Sequence, residues 1–100
     1  MIVQFSIYPT QTEHQSPDIA TVVEILEGVG LDYRIGPTST AVEGEWDDVM
    51  AAIKSCHAAV AANHDRVIST ITIDDRKEQP HSLSEMISSV EQSIGHEVKH

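Results

Sequence analysis

Gly36-Pro37-Thr38-Ser39-Thr40-Ala41-Val42-Glu43-Gly44-Glu45-Trp46 reads as a short strand, Thr38 to Glu43, held between two breakers. Gly36-Pro37 turns the chain in, and Gly44 turns it out into a helix. Glu45, Asp47 and Asp48 crowd the start of that helix, where acids suit the macrodipole. A strand of hydroxyls ending in a glutamate is an unusual core strand.

Upstream, Leu31, Tyr33 and Ile35 alternate with Asp32 and Arg34, the period of a strand. Before it, Ser16-Pro17-Asp18 is a helix start with Ser16 as N-cap. Ile19, Val22, Val23, Leu26 and Val29 then recur at helical spacing, and Gly30 closes the helix. Residues 2–8 alternate again: Val3, Phe5 and Ile7 on one face, Gln4, Ser6 and Tyr8 on the other, with Pro9 ending the strand and a loop running to Gln15.

Downstream, Trp46, Val49, Met50, Ile53, Cys56 or His57, and Val60 form the stripe of a second helix, with Asn63 as its cap. Arg66 to Asp74 is a fourth strand, with Val67, Ser69, Ile71 and Ile73 on one face and Ile68, Thr70, Thr72 and Asp74 on the other. After a polar loop from Asp75 to His81, Ser82 caps a last amphipathic helix marked by Leu83, Met86, Ile87 and Val90, and the tail beyond Gly95 frays. The order β-α-β-β-α-β plus a helix predicts an α+β, ferredoxin-like antiparallel sheet in the order 4-1-3-2, as one domain over residues 1–100. Two helices then cover one face and leave the other bare.

That bare face collects hydroxyls from three neighbouring strands: Ser6 and Tyr8, Thr38 and Thr40 (or Ser39), Thr70 and Thr72. They suit the lining of a small-molecule pocket. Threonine is also simply a good strand former, and both readings stand at this point.

A formal net charge of −10 argues against nucleic acid and against an anionic membrane surface. The single cysteine, Cys56, excludes an internal disulfide. No apolar run approaches the ~20 residues of a membrane span, and the N-terminus lacks the basic start of a signal peptide, so a cytoplasmic protein is expected. Six histidines show no paired ligand spacing, so no metal is expected. Cys56 sits on a helix stripe, and Asp74-Asp75-Arg76 reads as a surface ion pair. Acylphosphatases share this fold but use an arginine in a glycine-rich loop after the first strand; here that loop is Pro9-Thr10-Gln11-Thr12, and no arginine precedes Arg34. No catalytic residue or cofactor is expected.

The run from Gly36 to Met50 resembles the signature of the small YkoF-like thiamine-binding family. So do the first strand ending in Pro9, Ser16, Gly30-Leu31, and Arg66 to Arg76. The resemblance implies a non-enzymatic ferredoxin-like protein forming dimers through its sheets, often tetramers, and binding thiamine or its hydroxymethylpyrimidine moiety. It departs at Pro9-Thr10-Gln11, where members often carry Pro-Leu-Gly or Pro-Ile-Gly; a glycine reaches backbone shapes that Gln11 does not. An aminopyrimidine pairs through its amine or protonated ring nitrogen with a carboxylate, which nominates Glu43; capping of the following helix is the competing role. Tyr8 stacks on a ring or fills a subunit interface. The expected ligand-binding set is therefore Ser6, Tyr8, Thr38, Thr40, Glu43, Thr70 and Thr72. The alternative is a structural or regulatory module whose open sheet face is mainly a subunit interface.

Overall fold

The computed structural model describes residues 1–10, 16–77 and 83–97; of Ser16, Glu85, Met86, Ile87 and Ser89 it describes the backbone. The expected loop from Gln11 to Gln15, the polar loop beyond Lys77 and the Ser82 cap lie outside the described residues. The elements are β1 (Ile2–Pro9), α1 (Ser16–Val29), β2 (Asp32–Ile35), β3 (Thr40–Glu43), α2 (Trp46–Ala61), β4 (Val67–Asp74) and α3 (Leu83–Ile94). The sheet runs β2-β3-β1-β4, the expected order read from the opposite edge, and every pairing is antiparallel. This is the ferredoxin-like α+β fold.

Register assigns each side chain to a face, because paired residues point the same way. Val3 lies opposite Val42 and Ile73, and Phe5 opposite Thr40 and Ile71. These face the helices, where Val3, Phe5 and Val42 join Val22, Leu26, Val49, Ala52, Ile53, Cys56 and Val60 in the core. On the other face Ile2 pairs with Glu43 and Asp74, Gln4 with Ala41 and Thr72, Ser6 with Thr70, and Tyr8 with Ile68. The predicted alternation of β1 and β4 holds throughout.

Local differences have physical causes. β3 begins at Thr40 rather than Thr38, because Gly36 to Ser39 closes as a turn, with the Gly36 N–H donating to the Ser39 carbonyl at 2.8 Å. A Cβ at Gly36 would stand 3.1 Å from that same carbonyl oxygen, so the glycine serves a close approach. Trp46, expected in the buried stripe, is 51% exposed; it opens α2, before the helix reaches the core. Ile19, Val29 and Val90 are likewise exposed. α2 ends through Ala62 in right-handed conformation, with Asn63 and His64 N–H groups donating back to Val60 and Ala61, rather than at an Asn63 cap. Gly30 does close α1, at φ 76°.

Gly44 packs so closely that a Cβ there would meet Leu31 Cδ2 at 3.0 Å and Val49 Cγ2 at 3.1 Å. Val49 is fully buried and has little room to yield. Gly44→Ala is therefore expected to lower stability by about 1–2 kcal/mol through overpacking, read as a lower urea midpoint at unchanged slope.

Candidate functional site

The site follows from unequal strand lengths. β1 has eight residues and β3 four, and their pairing stops at Phe5 and Thr40. Beyond that point Ser6 to Tyr8 have no β3 neighbour. The Gly36–Ser39 turn folds back toward this gap and is tied to β1 by two side chains. The Ser6 hydroxyl donates to the Thr38 carbonyl at 2.8 Å, and the Gln4 amide donates to Ser39 Oγ at 2.8 Å.

The gap is a cleft of about 290 Å³, the size of a small heterocycle's site. Phe5, Ile7 and Val22 give it an apolar floor, and Ile19 of α1 and Ile35 of β2 stand at its rim. Ser6, Tyr8 and the segment from Gly36 to Thr40 supply its polar wall. None of the twelve lining residues carries a charge. Ser6 and Ser39 are engaged in the turn, while among the described residues the hydroxyls of Tyr8, Thr38 and Thr40 make no hydrogen bond. The cleft thus offers an apolar slot for a flat ring and three hydroxyls that both donate and accept.

Of the expected ligand set, Ser6, Tyr8, Thr38 and Thr40 meet at this cleft. They do so from two sides of the sheet: Thr40 shares the helix face with Phe5 and is 9% exposed, whereas Ser6 and Tyr8 belong to the open face. Thr70 and Thr72 lie on the open face beside Ser6 and Gln4, outside the cleft. Glu43 also points to that face, but at the far end of β3, opposite Ile2 and Asp32, where the expected bare face is covered by α3: Ile2 is 6% and Leu83 7% exposed. The rim residues Ile19 and Ile35 were not anticipated as site residues; helical and strand spacing mark them only as apolar.

Glu43 does not cap α2, which has no side-chain cap hydrogen bond, and it lies outside the cleft lining. Its carboxyl accepts the Leu83 N–H at the start of α3 and hydrogen-bonds Asp32, so it holds the last helix rather than α2. Burial, then the Asp32 hydrogen bond and charge, push the Glu43 carboxyl above the usual range. Asp32 is held below it by Arg34, whose guanidinium is 2.6 Å away, and by the Glu43 hydrogen bond. Of the two carboxyls, Glu43 is thus the one that holds a proton to higher pH. A carboxyl whose pKa is raised on folding subtracts stability as the pH rises through that window. Glu43→Gln keeps the hydrogen bonds and loses the charge, so it should raise the melting temperature at neutral pH and change little near pH 4, as read by differential scanning fluorimetry at both values.

Other titratable groups serve the scaffold. Asp18, only 8% exposed, meets His64 Nε2 at 3.1 Å and ties the start of α1 to the turn after α2. His57 Nδ1 pairs with Ser69 Oγ, fastening α2 to β4. Burial pushes the Cys56 thiol up to about 11, so it is not a thiolate at neutral pH. Among the described residues no three His, Cys, Asp or Glu side chains are grouped to hold a metal ion. No helix among them is long and apolar enough to cross a membrane.

Known proteins resemble this chain in sequence and in fold. The UPF0045 protein of Methanothermobacter thermautotrophicus is 37% identical over 78 residues, 76% of this chain and 79% of that protein. The UPF0045 protein YqgV of Bacillus subtilis is 34% identical over 93% of this chain and 96% of its own length. The chain spans 61% of a Synechocystis UPF0045 protein at 35% identity. Among solved structures, MJ1052 of Methanocaldococcus jannaschii superposes with a TM-score of 0.83 at 24% identity, covering 89% of this chain and 93% of that one. A Thermotoga maritima protein whose name proposes a role in thiamine biosynthesis or salvage superposes at 0.76 with 23% identity, over 89% and 96% of the two chains. At such identities the structures speak for the fold alone. The family model described as thiamine-binding protein matches residues 3–91, and this chain belongs to that thiamine-binding protein family.

Proposed function

We propose that the chain binds thiamine, or its hydroxymethylpyrimidine half, in the cleft between β1, α1 and the β2–β3 turn, and that it does so without catalysis. The observation that carries this reading is an uncharged, apolar-floored cleft with three unengaged hydroxyls in a chain of the thiamine-binding family. Tyr8, Thr38 and Thr40 would contact the aminopyrimidine, with Ser6 holding the turn in place. Glu43, Thr70 and Thr72 are not part of this binding set.

A neutral cleft gives the thiazolium cation no counter-ion of its own, so the pyrimidine end is the part it recognises. Isothermal titration with thiamine and with hydroxymethylpyrimidine tests the proposal. Saturable heat from both is expected, and no heat at millimolar ligand from folded protein would sink it.

The protein acts as a homo-oligomer, dimer or tetramer, in the cytoplasm. The support for assembly is exposed apolar surface: Ile71, Ile73, Val90 and Ile94 are each 39–51% exposed. The same apolar surface favours a second reading, a structural or regulatory module in which assembly is the function. Titration that stays flat in a light-scattering-confirmed oligomer would select it.

A further inference from the structure

The lining of the cleft is neutral, but the chain around it is acidic. No lysine or arginine occurs before Arg34, whereas Glu13, Asp18, Glu24, Glu27 and Asp32 do. β1 and α1, which form the floor and one rim, are therefore without a base. Among the described residues no base lines the cleft. Arg34 is engaged elsewhere: its guanidinium donates to Asp32 at 2.6 Å, to the Tyr33 carbonyl at 2.7 Å and to Ser84 at 3.3 Å. Arg66 lies on the β4 side of β1, where its carbonyl accepts the Thr10 N–H, while the cleft opens on the β3 side.

The backbone around the cleft is poorly suited to an anion as well. A helix N-terminus offers unpaired N–H groups and the positive end of a dipole. α1 begins beside the cleft, since Ile19 and Val22 line it. Pro17, however, has no N–H to give, and Asp18 already places a carboxylate in the first turn. That carboxylate is fixed: Asp18 is 8% exposed, and its two oxygens stand 3.1 and 3.2 Å from His64 Nε2. Across the cleft, the Gly36 N–H is engaged by the Ser39 carbonyl, and Pro37 has no N–H.

We propose, resting on the pyrimidine reading of the cleft, that it takes the free hydroxymethyl alcohol and turns away the phosphate ester of that alcohol, with Asp18 as the residue that sets the choice. A phosphate monoester carries about −1.5 to −2 charge near neutral pH. On entering, it would exchange its water for a cleft without a cation and move toward the Asp18 carboxylate. The hydroxyls of Tyr8, Thr38 and Thr40 can donate to it but supply no charge. The uncharged alcohol meets neither cost. Such an alcohol is what a phosphatase releases and what a kinase consumes, so the chain holds its ligand on the unphosphorylated side of that exchange.

Titration with hydroxymethylpyrimidine and with its phosphate monoester gives a ratio of affinities that partial unfolding of a variant does not change. In the native chain the alcohol is expected to bind at least about tenfold more tightly than the ester. A charge effect shrinks with salt, because the Debye length falls from ~30 Å near 0.01 M to ~3 Å near 1 M, whereas a cleft merely too small for the ester would keep its ratio. Asp18→Asn, which keeps an acceptor for His64, should narrow the ratio about threefold. Ile35→Lys, at a rim position 43% exposed, adds a cation and should narrow it further. Equal or tighter binding of the ester by the native chain, or a ratio indifferent to salt and to both substitutions, would overturn the proposal and leave the pyrimidine reading of the cleft standing. Failure of both compounds to bind the folded chain would overturn that reading and the proposal with it.

Discussion

A chain carrying Ile19→Trp is expected to fold normally and to bind hydroxymethylpyrimidine at least tenfold more weakly, a loss of about 1.4 kcal/mol. Ile19 stands at the rim of the cleft on α1 and is 46% exposed. Its replacement therefore disturbs little packing, and surface changes of this kind usually move stability by less than about 0.5 kcal/mol. An indole at that position lies over the apolar floor of Phe5, Ile7 and Val22 and occupies the space a flat ring would need. Glu24→Trp, on the same helix but away from the cleft, is the control for added bulk. Titration of both variants decides the matter: equal affinity in Ile19→Trp and the native chain would place the ligand elsewhere.

The largest expected effect on stability comes from Leu26→Ala, about 3 kcal/mol. Leu26 is fully buried in the middle of the core, between the sheet residues Val3 and Val42 and the stripe of α2. Removing its branched end loses the transfer energy of the buried methyls and leaves a cavity that a tightly packed helix pair cannot close. Alanine's better helix propensity returns only a few tenths of a kcal/mol. In a domain of this size the melting temperature should fall by roughly 15 °C. Val29→Ala, on the same helix but 56% exposed, should cost less than about 0.5 kcal/mol. Thermal and urea unfolding measure both, and a Leu26→Ala midpoint near the native one would mean that α1 is not seated as described.

The elements were legible because each is written in a clean period. β1 and β4 alternate without a break, and α1 and α2 carry recurrent apolar stripes bounded by Pro17 and Gly30, or by Gly44. The sheet order followed from connection rules alone. What stayed hidden was register. The face that Thr40 and Glu43 take depends on which β1 residue each one meets, and period alone does not say. One clue was present: Val42 is the most apolar residue of its strand, Thr40 shares its face, and burying the one buries the other. The Asp18–His64 pair joins residues 46 apart and leaves no local trace. Ile19 and Trp46 have helical spacing, but spacing does not reveal where the sheet beneath a helix stops.

The stop of β3 at Thr40 has a bearing on how such a domain changes its ligand. The cleft is bounded by the hairpin between β2 and β3, while the long β1–β4 ladder and the two-helix layer carry the fold. Residues added or removed between Gly36 and Ser39 would therefore alter the depth and chemistry of the cleft while leaving the core contacts in place. On the proposed binding mode, recognition and foldedness are separable in this chain, and a few turn residues are enough to vary one at little expense to the other.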